Sequence, residues 1–281
     1  MKLSASVIGG INLDITGYSK NALIGRDSNP GSIRFSPGGV GRNIAQQLAQ
    51  AGLDVTLFTA ISKDSQGEML KNSCAETGIC VDFAKRSPLP TSCYLSIHDS
   101  NGDMALAIND MALIEEITPD YLKSVLDRIL KANVCVIDAN LSPESLTFLA
   151  ENVTLPIIAD PVSCVKAARL TPILHRLSAF KPNLIEAVEL TGAQNEYDAA
   201  KRLLALGVKR TVISMGEKGV FYMDSEAHGM IAPEKVFTCQ TNGAGDAMCA
   251  GIAVGAALNE SARDCARRGL LFSARLLQSR E

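Results

Sequence analysis

Long apolar runs are missing from this chain of 281 residues. Nowhere do eighteen apolar residues follow one another, so no segment is expected to span a bilayer. Basic clusters are missing as well: no run of lysine or arginine exceeds two residues, and the formal net charge is −3. That balance argues against nucleic acid or a membrane surface as the main partner and favours small molecules. No CxxC pair occurs among Cys74, Cys80, Cys93, Cys135, Cys164, Cys239, Cys249 and Cys265, and several of them sit in apolar runs such as "VCVID". Buried, reduced thiols in a cytoplasmic protein are the expectation. The three histidines lie far apart and read as structural or surface residues. There is no GxxxxGK[ST] phosphate loop, and no GxGxxG follows the first apolar run, which sets aside a NAD-dependent Rossmann enzyme. The opening "MKLSASVIGGINLD" is interrupted by Asn12 and Asp14 and reads as a first strand rather than a signal peptide.

What is present is rhythm. At 47% hydrophobic content the chain is long enough to bury a large core as one α/β unit over residues 1–281. Apolar runs at "ASVIGGI", "DVTLFTAI", "NVCVIDA", "LPIIAD", "LSAFKPN", "RTVISMG" and "GVFYMD" read as strands. They alternate with helical patterns near 40–52, 65–77, 118–131, 165–175, 184–206 and 244–277. This alternation predicts parallel strands with crossover helices on both faces. Residues 15–36 and 86–113 break the rhythm: they are polar, alternating and turn-rich, with an Asn-Gly hairpin signal, and read as an inserted β flap.

In such sheets ligands bind beyond the carboxyl ends of the strands. Three loops there carry chemistry. After the first strand, Asn12 and Asp14 emerge beside the flap, where a carboxylate could accept two hydrogen bonds from a vicinal diol; a turn aspartate is the plainer alternative. In "SPGGVGRN", Gly38 and Gly39 permit close approach of a ligand to the backbone at a helix start, and the Asn43 amide can reach the same ligand. Taken alone, a double glycine before a helix is only a turn. In "TNGAGDAMCAG", Gly243, Ala244 and Gly245 leave amides open at a helix N-terminus, an anion hole with Asp246 inside it. A carboxylate in a cradle suited to anions makes sense if it removes a proton from a hydroxyl that attacks a phosphoryl group.

"GGVGRN", "KPNLIEAVEL", "ISMGEKGV" and "TNGAGDAMCAG" occur in the order and at the distances seen in the PfkB/ribokinase family of carbohydrate and nucleoside kinases, which the chain resembles over almost its whole length. The resemblance implies a ribokinase-like three-layer α/β/α sandwich with a small β-sheet lid. "DSNPG", "PGGVGRNIAQ", "AINDM" and "DPVS" followed by Lys166 resemble the branch of that family acting on pseudouridine. The roles implied are these. Asp14 grips the ribose hydroxyls, and Asn12, Gly38, Gly39 and Asn43 complete the sugar site. Ser28 on a lid strand and Asn109 lie near the base, and Lys166 neutralises phosphate or contacts the substrate. Asn183 and Glu186, on one helical face, hold Mg²⁺ through water. Ser214, Gly216, Gly219, Thr241 and Asn242 shape the ATP site, with Asp246 as base and the Gly243–Gly245 amides as anion hole. Without the family, Lys166 reads as a surface lysine, Ser28 and Asn109 as turn and lid residues, and Glu186 as a first-turn helix charge.

The implied reaction is ATP-dependent phosphorylation of a nucleoside 5'-hydroxyl, with a homodimer formed through the lid. The family's anion motif usually begins Asp-Thr-Thr-Gly, whereas this chain has Gln240, Thr241, Asn242 and Gly243. Potassium therefore stands as a candidate cofactor with Gln240 set against its site. The ending "LLFSARLLQSRE" stops where family members usually continue, which implies a trimmed chain or a less enclosed nucleotide pocket. Two other readings stay open here: a family kinase acting on uridine, inosine, adenosine or ribose, and a nucleoside-binding protein with weakened catalysis.

Overall fold

The computed structural model describes residues 2–233 and 242–279. Strand β1 (Ser4–Ile8) is followed by β2 (Asn12–Ser19) and β3 (Gly31–Gly38) before helix α1 (Val40–Gln50) returns the chain to β4 (Asp54–Phe58). Next come β5 (Ala60–Ser62), α2 (Ser65–Glu76), β6 (Ile79–Cys80) and β7 (Lys85–Ser87), then a hairpin of β8 (Cys93–His98) and β9 (Met104–Asp110). Alternation resumes with α3 (Pro119–Ile129), β10 (Val134–Asp138), α4 (Pro143–Asn152), β11 (Ile157–Asp160), α5 (Cys164–Ala167) and β12 (Leu177–Phe180). The remainder is α6 (Leu184–Thr191), α7 (Glu196–Ala205), β13 (Thr211–Ser214), β14 (Val220–Met223), β15 (His228–Ile231), α8 (Ala244–Ala257) and α9 (Ala262–Gln278).

The main sheet runs β15-β14-β13-β12-β11-β10-β1-β4-β6. From β6 to β13 the strands are parallel, as the alternation predicts. The end of the sheet differs from that expectation, because β14 and β15 pair antiparallel. The reason is the tight turn at Gly216–Lys218 between β13 and β14, which leaves no length for a crossover helix. Side chains alternate between the two faces. From β1 and β10, Ala5, Val7, Val134 and Val136 pack with Ile44 and Leu48 of α1 and with α8 and α9; Ile8, Cys135 and Ile137 pack with Leu122 of α3 and Leu149 of α4. Three layers result.

Several helical expectations change in detail. The 184–206 pattern divides at Gly192, and Asn195 caps a new helix. The 244–277 pattern divides after Leu258, and Ser261 caps α9. The 165–175 pattern is mostly a 3₁₀ segment, Ala168–Arg176, because Pro172 withholds a backbone donor. Helix α4 was not among the expected helices, although Ser142 before Pro143 is a helix-start signal, and the Ser142 hydroxyl accepts from Ser145 N.

Residues of both irregular segments form one separate sheet in the order β3-β2-β8-β9. Its register gives the two faces opposite characters. Ser36, Asp14, Tyr94 and Asn109 make one cross-strand row; Phe35, Ile15, Leu95 and Ile108 make the next row, on the other face. One face is polar and the other apolar. Asp99 closes the β8–β9 hairpin by accepting from Asn101 N and Asp103 N. Among the described residues no cysteine is in a disulfide, and Cys74, Cys135, Cys249 and Cys265 are buried.

Candidate active site

Because the central strands are parallel, their carboxyl ends share one edge, and polar residues cluster there. Asp138 and Asp160, the last residues of β10 and β11, are register partners and both buried. The Asp138 carboxylate accepts from Gly10 N (3.0 Å) and Asn140 N (2.9 Å), tying the loop after β1 to the loop after β10. Asp160 accepts from Val162 N and pairs at 3.2 Å with Lys181, which follows β12 and is only 5% exposed. Burial works against the Lys181 ammonium, yet Asp160, Cys249, Glu186 and Asp246 together hold its pKa above the usual lysine range.

On the side facing the small sheet, Asn12 Nδ2 donates to Asp14 Oδ1 at 2.6 Å. Burial raises the Asp14 pKa, opposed by that hydrogen bond and by Arg42. The glycines beside it are close-packed against the chain itself. A methyl on Gly38 would strike the Asp14 carboxylate at 2.2 Å, and one on Gly39 would strike Gly10 O at 2.5 Å. Gly39 also has φ of 99°, so a side chain there would be strained on both counts. The double glycine thus lets the start of α1 sit against the loop that carries Asn12 and Asp14, which is a more local reason than the expected approach of a ligand. Between this region, α1 and the polar face of the small sheet lies a groove of about 1250 Å³, lined by Asp14, Tyr94, Ser96, Asn43 and Gly243 among others.

On the opposite side stands the N-terminus of α8. Its small residues permit a close crossing with α9, where a methyl on Gly251 would meet Arg268 O at 2.5 Å. Gly243, with φ of 76°, caps the helix, and Ala244, Gly245 and Asp246 form its first turn. Asn43 Nδ2, from α1, donates to Asp246 Oδ2 at 2.9 Å. Burial, then the negative charge of Asp160, pushes the Asp246 pKa up to about 7, against the Asn43 hydrogen bond and the Lys181 charge. A carboxylate so placed can take a proton near neutral pH, and the helix amides beside it can receive an anion.

Asn183 and Glu186 are together, but as a capping box: Asn183 Oδ1 accepts from Glu186 N, and Glu186 Oε2 accepts from Asn183 N, each at 2.8 Å. Asn183 is the cap before α6 rather than a residue of a helical face. Among the described residues, Glu186 Oε1 has no hydrogen bond. Ser214 bridges to Asn183, and Gly216 and Gly219 bound the following turn. Lys166 Nζ donates to Asn140 Oδ1 at 2.6 Å. Asn109 shares the polar row of Asp14. Ser28 departs from expectation: it lies in the exposed 20–30 loop rather than on a strand, its N–H held by Asp27, because Asn29 binds Ile24 and folds that stretch into turns. Asn242 precedes the α8 cap, and Thr241 and Gln240 lie outside the described residues.

Sequence reasoning missed Asp138, Asp160, Asn140 and Lys181. A signal for three of them was visible: Asp138, Asp160 and Lys181 close the apolar strand runs "VCVID", "IIAD" and "LSAFK", at the end where ligands gather, and Asn140 stands two residues beyond the first. Arg42 was missed too; it is buried and donates to Pro37 O and Gln46 Oε1.

A model of the pfkB family of carbohydrate kinases matches residues 2–281. The pseudouridine kinase of Escherichia coli (strain K12) is 40% identical over 255 residues, 88% of this chain and 82% of that protein. A carbohydrate kinase from Agrobacterium tumefaciens has a structure similar at TM-score 0.86 and 27% identity, covering 99% of this chain and 91% of its own. Ribokinase from Thermotoga maritima is similar at TM-score 0.87 and 21% identity, covering 98% and 93%, a likeness of fold. The architecture is the ribokinase-like α/β/α sandwich with its small β-sheet lid, and the chain belongs to the pfkB family of carbohydrate kinases.

Proposed function

We propose that the protein transfers the γ-phosphoryl group of ATP to the 5'-hydroxyl of pseudouridine. The observation that carries this is the contact between Asn43 and Asp246, which joins the sugar side of the groove to the amide cradle of α8. The 40% identity to a pseudouridine kinase supports the choice of substrate.

In this reading Asp14, steadied by Asn12, accepts hydrogen bonds from the ribose 2'- and 3'-hydroxyls, and the backbone at Gly38 and Gly39 closes the sugar site. The 5'-hydroxyl then meets Asp246. Asp246 takes its proton as the oxygen bonds to the γ-phosphorus, the bond from phosphorus to the β–γ bridging oxygen breaks, and ADP leaves. Amides of Gly243, Ala244 and Gly245 receive the charge on the transferring group; losing one such donor typically costs about a hundredfold to a thousandfold in rate. Ser214, Gly216, Gly219 and Asn242 border the nucleotide. The donor set suits Mg²⁺ held through water, since Glu186 keeps one carboxylate oxygen outside the capping box. Bound Mg²⁺ supplies charge neutralisation at the phosphates. Potassium is a further candidate, to be decided by assay.

Base choice belongs to the lid. Pseudouridine presents an N1–H where uridine has its glycosidic nitrogen, so selection needs an acceptor; an unmatched buried donor costs about 1–3 kcal/mol. Asn109 lies two strands from Asp14 along the same polar row, about 10 Å away at ordinary strand spacing. That is close to the length of a nucleoside. Lys166, joined to Asn140, contacts substrate or phosphate. Ser28 stays a base-side residue only if its loop folds over the substrate.

The apolar face of the lid exposes Ile33, Phe35, Leu106 and Ile108, each by 59% or more. Pairing that face with a second copy would bury both, and a homodimer through the lid is part of the proposal. The seven described cysteines, all unpaired, fit the cytoplasm. The test is phosphoryl transfer from ATP to pseudouridine, uridine, adenosine, inosine and ribose, side by side, with Mg²⁺ and with or without K⁺. Preference for pseudouridine supports the reading; preference for another acceptor keeps the kinase and discards the substrate.

A further inference from the structure

The carboxyl edge of the sheet brings Asp138 and Asp160 to bear on Asp246, and a buried cation, Lys181, stands with Asp160 and Asp246. Lys181 reaches this cluster from the end of β12, is fixed by Asp160 at 3.2 Å, and lies directly behind the amide cradle. A methyl built on Gly245 would stand 3.4 Å from Lys181 Nζ, so the ammonium rests against the backbone one residue before Asp246. Nothing in the phosphoryl-transfer scheme above uses it.

We propose that Lys181 is a positioning residue: held by Asp160 against Gly245, it is a fixed positive charge, shut off from water, that keeps Asp246 in its proton-accepting form. The proposal rests on the reading of Asp246 as the base. Its physical content is a balance of charges. Facing Asp246 are Asn43 from α1, a neutral donor; Asp138 and Asp160 from the ends of β10 and β11; Lys181 from the end of β12; and the buried Cys249 thiol one turn along α8. Glu186, from α6, bears on Lys181. Burial and the two aspartates favour protonated Asp246, whereas Lys181 and Asn43 favour the carboxylate. Asp160 therefore has two opposing actions, repelling Asp246 directly and holding the cation that relieves the repulsion.

The test is the acid limb of the pH profile of kcat/KM for nucleoside, measured on the full-length enzyme. Lys181→Met is expected to move the limb up by about one pH unit or more, the size of shift an opposite charge at close range produces. Asp160→Asn is expected to move it down, and Lys181→Arg, which keeps the charge, to leave it near the wild-type position. A residue that only holds the fold would lower thermal stability and kcat without separating the limbs in opposite directions. Either single variant leaves a buried charge unpaired and risks misfolding. Lys181→Gln, whose amide can still donate to Asp160, then carries the test: it removes the charge without leaving Asp160 unpaired, and its limb is expected above wild type. Limbs that coincide in every folded variant overturn the proposal. Full turnover by Asp246→Asn overturns the base assignment instead, so the two failures are distinguishable.

Discussion

Asn43 and Asp246 are separated by 203 positions in the chain and joined by a 2.9 Å hydrogen bond from Nδ2 to Oδ2. One side chain belongs to the helix that follows the double glycine, the other to the helix that forms the amide cradle. Asp246→Asn is expected to lower kcat by about a hundredfold to ten-thousandfold, the usual worth of a positioned base, while calorimetry still shows nucleoside binding. Asn43→Ala removes a hydrogen bond that favours the Asp246 carboxylate. Its activity is expected to fall more at pH 6 than at pH 8, which steady-state rates at the two values check.

Stability should carry the opposite signature. The Asp246 carboxyl, ordinarily near 3.8, is pushed to about 7 in the folded protein, so the folded state keeps a proton that the unfolded chain loses between those values. Its contribution is whole below about pH 4, declines as pH rises through 7, and is absent above. Asp246→Asn is therefore expected to be more stable than wild type at pH 8, with the gap closing toward pH 4. Allowing for the partial exposure of the site, the gain is about 1–2 kcal/mol, or about 2–8 °C in Tm. Thermal melts of both proteins at the two pH values decide it; a constant gap would refute the assigned ionisation.

Gly219 sits at φ of 90°, where a methyl would stand 2.0 Å from Ile231 O. Gly219→Ala is expected to cost about 2 kcal/mol or more in stability, from left-handed backbone strain and the push against β15. If the turn borders ATP, KM for ATP rises while KM for nucleoside stays within about twofold. Equal changes in both would move the nucleotide edge elsewhere.

Phe35→Glu places a charge in the middle of the exposed apolar lid face, beside Ile15. Light scattering is expected to give a dimer mass for wild type and a monomer mass for the variant. A monomeric wild type at micromolar concentration would remove the homodimer from the proposal.

Much of this architecture could be read from residues in order. Apolar runs ending in Asp138, Asp160 and Ser214 announce strands, and the small-residue run after Gly243 announces a buried helix. The helix breaks were harder, because Gly192 and Asn259 interrupt apolar patterns that continue on the same face beyond them. Asn183 and Glu186 show the limit of spacing as a guide: Asn-x-x-Glu suits a capping box and a water-held cation equally well. The pairing of Asp160 with Lys181 was illegible for another reason. Those residues stand 21 apart, and only the sheet order, which puts β11 beside β12, brings them within reach. Ser28 was placed on a lid strand by the resemblance, whereas the local hydrogen bonds of Asn29 and Asp27 fold its stretch into turns, as its residues alone suggest.

The first pair of the small sheet is Asn12 with Gly38, the next but one Asp14 with Ser36, and Leu13 N is bound to Ser92 O at the same root. The strands of the small sheet thus grow directly out of the residues that the proposed reaction assigns to the sugar. In the proposed reaction the nucleoside sits at this root, where the small sheet joins the large one, rather than at the far end of the strands. Tyr18 and His98 are paired at the other end of β2 and β8, so a rotation of the small sheet about Asp14 would be widest there.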